Sequence, residues 1–214
     1  VGVGDLNNDG LLDVYMAGNW VDDRIYLNKG DLQFEDVTED AGIIEYPGYS
    51  TGVSMIDINQ DGWLDIYVCR DWFKEEGKKN DVLFINNGDM TFTESAKEYG
   101  FDFDAFSTQA NFFDYDNDGD LDCYVVTHPD DWNDKQKLKY WVKIEDGKNQ
   151  SDFFFRNDNG KFVDVSKEAG INNHGYGLSA TVGDINNDGW MDIYIANDFV
   201  MHDFLYINNG DGTF

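Results

Sequence analysis

Basic residues and proline are scarce in this chain. Fifteen Lys and Arg stand against 43 Asp and Glu in 214 residues, a formal net charge of −28 at pH 7. Nucleic acid is bound through clustered cations that release counterions from phosphates, so this balance excludes a nucleic-acid surface, and an anionic membrane surface with it. No apolar run reaches the roughly 18 residues of a spanning helix, which excludes helical membrane insertion. Signal and lipidation motifs are missing too, but Val1-Gly2-Val3-Gly4 enters a strand with no lead-in, so the chain reads as cut from something longer. Only 2 Pro accompany 22 Gly and many Asn-Gly and Asp-Gly pairs, as short antiparallel strands joined by tight turns require. The two cysteines are Cys69, four residues past the last Asp of its loop, and Cys123, one past its own. On strands of period two they face opposite ways, so both are expected to be buried free thiols, and the redox compartment stays undecided.

What is present is a repeat. The pattern D-x-[ND]-x-D-G-x-x-D occurs four times, from Asp5 to Asp13, Asp57 to Asp65, Asp114 to Asp122 and Asp184 to Asp192. An apolar run with a Tyr in a fixed place follows each loop, at Tyr15, Tyr67, Tyr124 and Tyr194. A second aromatic or aliphatic run then ends in Asn, and a third begins at Phe34, Phe92 or Phe162 before a short link through Ala41, Ala96 or Ala169. Successive loops open 52, 57 and 70 residues apart, the range of propeller blades. The first copy offers four short runs, Gly2 to Asp5, Asp13 to Ala17, Arg24 to Asn28 and Gln33 to Thr38, which is one four-stranded antiparallel blade. The expected fold is therefore all-β, a single propeller domain or fragment over residues 1–214, with repeats near 1–45, 46–103, 104–173 and 174–214. The links, such as Val165 to Gly170, read as about one helical turn with a capping Thr or Ser and a terminal Gly. Repeat three is lengthened by an insertion over 129–150, read as a solvated loop with its own aromatic residues; Asn149-Gln150-Ser151 there is a formal glycosylation acceptor.

Alternate carboxylates around a glycine turn make a cage of oxygens. Such a nine-residue loop uses side chains at positions 1, 3, 5 and 9, a backbone carbonyl at 7, and a Gly at 6 where the chain turns sharply. The predicted ligands are Asp5, Asn7, Asp9, Leu11 and Asp13; Asp57, Asn59, Asp61, Trp63 and Asp65; Asp114, Asp116, Asp118, Asp120 and Asp122; and Asp184, Asn186, Asp188, Trp190 and Asp192. Hard oxygen donors without His or Cys select calcium or magnesium, and flexible coordination favours calcium, about four ions in all. A helix-loop-helix hand is rejected: position 12 is Met16, Val68, Val125 or Ile195, where that motif needs an acid, and strand follows. Loop three carries one more ligand carboxylate, Asp116, with Asp120 at position 7, and is expected to bind most tightly.

On these residues, and on strings such as Gly183 to Tyr194 and Asn208 to Phe214, the chain resembles the FG-GAP or VCBS repeat family, the calcium-binding blades of integrin α-subunit propellers. It is most similar to the branch that includes cartilage acidic protein and bacterial proteins with an ASPIC/UnbV domain. The resemblance implies about four blades of a seven-bladed propeller, a calcium loop between the first and second strands of each blade, an extracellular, periplasmic or cell-surface setting, and no reaction.

Two functions from different classes are then open. The first is a calcium-stabilised binding, adhesion or scaffold module without catalysis. In the family's geometry the links between second and third strands open on the face opposite the calcium loops, and here they carry Trp20, Trp72, Trp132 and Phe199 beside polar groups, a rim that could take a protein or glycan partner. The plainer reading of these aromatics is packing over blade ends. The second is a propeller-type polysaccharide lyase or carbohydrate-active enzyme fragment using calcium, with His128, His202 and Arg70 as candidates that ordinary loop roles would also explain.

Overall fold

The structure, a computed structural model, describes residues 1–43, 48–71, 80–128, 152–198 and 202–214. They divide into two compact units, Val1–Asp104 and Ala105–Phe214. Each holds two antiparallel sheets whose strands follow one another in sequence order, a simple meander.

In the first unit, β1 (Gly2–Gly4), β2 (Asp13–Met16), β3 (Arg24–Asn28) and β4 (Phe34–Asp36) form one sheet. A second is built from β5 (Tyr49–Ile56), β6 (Asp65–Asp71), β7 (Val82–Asn86) and β8 (Phe92–Glu94), closed by the helical turn α1 (Ala96–Tyr99). The second unit repeats the plan with β9 (Phe106–Phe113), β10 (Asp122–His128), β11 (Phe153–Asn157), β12 (Phe162–Asp164) and α2 (Ser166–Ala169). Its other sheet has three strands, β13 (Tyr176–Gly183), β14 (Asp192–Asp198) and β15 (Phe204–Tyr206). The molecule is all-β, and the sheets are blade-like units of the expected strand count, three of them four-stranded.

The repeat fixes the register. Tyr15 lies opposite Gly2 and Ile25, and the equivalent Tyr194 lies opposite Thr181 and Leu205. Alternation then sends one side of each sheet into a core shared by the two sheets of a unit. In the first unit Leu6, Tyr15 and Ile25 meet Ile66, Val68 and Phe84. In the second, Tyr115, Tyr124 and Phe154 meet Ala180, Ile193 and Ile195, with Phe154 edge-on to Tyr115 at 4.7 Å between ring centres. Burying a side chain of this size contributes about 1.5–3 kcal/mol, which is how such short strands hold together. Cys69 and Cys123 are buried and in no disulfide, as their spacing predicts.

Two local details differ from expectation. The first strand of the second, third and fourth sheets carries a register shift, between Ser50 and Val53, opposite Val126/Thr127, and between Gly177 and Ser179, which strand periodicity alone does not reveal. The hydroxyl of the link does not cap the helical turn either. Ser166 is the first residue of α2, and its Oγ accepts the Phe154 N–H at 2.8 Å, while Thr38 Oγ accepts that of Ile25 at 3.0 Å. A third-strand N–H thus takes the oxygen a helix cap would have used. The terminal Gly42, Gly100 and Gly170 do take the left-handed conformation.

Candidate metal centre

The four acidic loops share one internal hydrogen-bond plan. The position 1 carboxylate accepts from the N–H of position 5 and of the Gly at 6: Asp5 takes Asp9 at 3.1 Å and Gly10 at 2.8 Å, and Asp184 takes Asp188 at 3.0 Å and Gly189 at 2.9 Å. Position 5 accepts from position 7, as Asp61 does from Trp63 at 2.9 Å. Gly10, Gly62, Gly119 and Gly189 turn at φ between 86° and 98°, where a Cβ is strained. So do the residues at position 4, Asn8, Gln60, Asn117 and Asn187, with φ between 56° and 61°. Three of those four are Asn, the side chain that best tolerates this region, and that was the available signal.

Position 9 works differently. Asp13, Asp65, Asp122 and Asp192 have no exposed surface. Each grips two backbone amides, the N–H of loop position 2 and the N–H of the Asn at or just past the end of the third strand: Asp65 accepts Ile58 at 3.1 Å and Asn86 at 2.8 Å, and Asp122 accepts Tyr115 at 3.0 Å and Asn157 at 2.9 Å. The fourth side chain of the predicted cage is therefore also the pin between loop and sheet. Burial, partly offset by these bonds, pushes Asp65 up to about 6 and Asp122 up to about 7, and raises Asp13.

Loop three stands apart. In the other loops the Asn at position 3 donates Nδ2–H to the position 5 carboxylate, at 3.0, 2.9 and 2.7 Å from Asn7, Asn59 and Asn186. Asp116 has no amide to give. Asp114, Asp116 and Asp122 each place one oxygen within 4.8 Å of the others, and Asp116 Oδ1 and Asp120 Oδ1 are buried with no hydrogen-bond partner. Burial first, and then neighbouring carboxylates, raises Asp116 and pushes Asp120 up to about 6. Orphaned buried acceptors of like charge fit a hard divalent cation, which would satisfy them and hold the carboxylates ionised.

A second recurrent acid escaped the sequence reading. The Tyr of each second strand donates its O–H to an Asp just before the third strand: Tyr15 to Asp23 at 2.7 Å, Tyr67 to Asp81 at 2.8 Å, Tyr124 to Asp152 at 2.7 Å and Tyr194 to Asp203 at 2.6 Å. The other oxygen accepts an N–H from at or just past the end of the second strand, from Gly18, Arg70, Thr127 and Asn197 in turn. The signal was an Asp immediately before every third strand, hidden by links of unequal length.

Of the rim aromatics, Trp20 is exposed and sits edge-on to Tyr49 at 5.6 Å between ring centres. Trp72, Trp132 and Phe199, with the 129–150 insertion, lie outside the described residues. Arg70 is buried, and its charge faces Asp23 and Asp81. The His128 ring shares a 2.9 Å hydrogen bond between Nε2 and the Gly177 carbonyl, and His202 is exposed.

Four aspartate loops on blade-like meanders define a class of repeat protein, and comparison of sequences agrees. The FG-GAP-like repeat family model matches residues 5–68, 73–125 and 140–195, and the chain belongs to that family. It is 27% identical over 125 residues to cartilage acidic protein 1 of Xenopus tropicalis, covering 58% of this chain and 18% of that protein. A solved lectin from Agrocybe aegerita, described as specifically recognising non-reducing terminal N-acetylglucosamine, superposes with a TM-score of 0.51 at 19% identity over 99% of this chain and 50% of its own, a likeness of fold. The chain thus spans half or less of these relatives. Among the described residues no helix is long and apolar enough to cross a membrane.

Proposed function

We propose that this chain is a calcium-stiffened, non-catalytic binding or scaffold module working outside the cell, where calcium is plentiful. Its four loops each take one ion, and the ions lock the first hairpin of each blade. The observation that carries this reading is loop three, where three converging carboxylates and two orphaned buried oxygens ask for a cation. Membership of the FG-GAP-like repeat family and the distant likeness to cartilage acidic protein 1 support the setting and the role. A protein or glycan partner would be met at the rim that bears Trp20, away from the metal.

The test is a thermal melt with calcium and with EDTA, beside native mass spectrometry. About four bound calcium ions and a melting temperature at least roughly 10 °C higher with metal are expected, since ligands that bind only the folded state stabilise by mass action. Absence of bound calcium together with unchanged unfolding would sink the reading.

A further inference from the structure

One side chain in each unit touches two acidic loops at once. Asn86, 2% exposed at the end of β7, donates Nδ2–H to the Leu6 carbonyl of loop one at 2.9 Å and to the Leu64 carbonyl of loop two at 3.2 Å. Its own N–H donates to Asp65 at 2.8 Å, and its Oδ1 accepts from Gly88 at 2.9 Å. Leu6 lies between the position 1 and position 3 residues of loop one, fully buried, and its N–H is held by Asp13 at 2.9 Å. An unbroken buried path of hydrogen bonds therefore runs from Asp13 through Leu6 and Asn86 to Asp65, joining the position 9 acids of two loops.

The second unit repeats the path. Asn208, 2% exposed, donates to the Tyr115 carbonyl at 2.9 Å and the Met191 carbonyl at 3.2 Å, and its N–H donates to Asp192 at 2.8 Å. The Tyr115 N–H is held by Asp122 at 3.0 Å. Only a carboxamide supplies two N–H donors and an acceptor on so short a stem, and here all three are used. A second link, from Asn8 Nδ2 to the Gly62 carbonyl at 3.0 Å, is exposed, so water competes for it and it holds less firmly.

We infer that the two loops of each unit bind metal cooperatively, and that Asn86 and Asn208 are the positioning residues that couple them. This rests on the proposed metal binding. An ion on loop one fixes the backbone between positions 1 and 3, which fixes the Leu6 carbonyl, which fixes Asn86 and with it Asp65. The second ion then meets a ligand set already ordered, and linkage makes the effect mutual.

Trp63 and Trp190 occupy position 7 of loops two and four, so each can sensitise the emission of terbium(III), a calcium stand-in, bound in its own loop. In a Trp190→Phe background, the terbium emission lost on Trp63→Phe reports loop two. Disabling loop one with Asp9→Ala is expected to raise the terbium midpoint of loop two roughly fivefold. With Asn86→Ala the same change should shift it less than about twofold, whereas Asn8→Gly and Asn208→Ala should leave the fivefold shift intact. The inference is overturned if Asp9→Ala does not move loop two while Asn86 is present, or moves it equally without Asn86. Should Asn86→Ala fail to fold, the mirror experiment decides by the same criteria, with Trp190 reporting loop four, Asp118→Ala disabling loop three, and Asn208→Ala as the uncoupling change. No terbium emission at all would count against the metal sites themselves, a separate result.

Discussion

Asp152 shows how much a single buried acid can set. It is 1% exposed and accepts from Tyr124 at 2.7 Å, Thr127 N–H at 2.8 Å and Asn173 Nδ2 at 2.6 Å. Burial outweighs these bonds and pushes its carboxyl from the ordinary 3.8 up to about 6. The folded protein therefore keeps a proton that the unfolded chain releases. That contribution to stability is complete below about pH 4 and is lost as the pH rises through about 6. The full swing is about 3 kcal/mol, at 1.36 kcal/mol per pKa unit. Urea unfolding in EDTA from pH 4 to pH 7 should show the wild type losing that much relative to Asp152→Asn, whose side chain cannot titrate. Parallel curves for the two proteins would mean that Asp152 stays ionised throughout.

A third strand in this protein is anchored at both ends through acids. The Tyr-bound Asp holds its start, and the position 9 Asp holds its terminal Asn. Removing the second anchor strands two buried donors: Asp65→Ala leaves the N–H groups of Ile58 and Asn86 without their acceptor, at about 1–3 kcal/mol each. Asp61, exposed, loses only the Trp63 bond and its contact with Asn59 when changed to Ala. In EDTA at pH 8, Asp65→Ala should therefore cost about 2–6 kcal/mol and Asp61→Ala less than about 1, while in calcium both should lose the metal's stabilisation. Equal costs in EDTA would show that position 9 acts only through metal. The loops, the strand order and the glycine turns were legible in the sequence because their determinants are local, nine residues or a two-residue period long. The Asn86 link to Leu6 spans 80 positions and the Asn208 link to Tyr115 spans 93, so no local pattern announces them. Asn28 and Asn157 end equivalent strands, which made the Asn visible as a repeat feature but not its reach. Ser166 and Thr38 misled for the converse reason: their sequence context is a helix start, yet a neighbouring strand offered the better partner.

Net charge governs the chain as a body. At −28 the metal-free protein repels itself, and four divalent ions would bring it to −20. Ion pairs such as Arg24 with Asp36, Lys29 with Glu35, Lys97 with Asp102 and Arg156 with Asp158 are substantially exposed and offset little of this. Salt should therefore stabilise the protein, because screening weakens repulsion between carboxylates more than it weakens these few pairs. The effect should be unequal. The second unit holds loop three, whose Asp116 and Asp120 add two carboxylates that the other loops lack, and both keep an oxygen without a partner. In EDTA, raising sodium chloride from about 0.05 M to about 0.5 M shortens the screening length from roughly 14 to 4 Å, so repulsion between all but the nearest carboxylates fades. The transition read by the tryptophan fluorescence lost on Trp190→Phe is then expected to rise by roughly 3–6 °C, and the one read by the fluorescence lost on Trp63→Phe by less. Replacing Asp116 and Asp120 by Asn should make the two shifts equal. If salt leaves both transitions in place, self-repulsion is not what limits the metal-free fold, and any benefit of the proposed metal must come from ordering the loops.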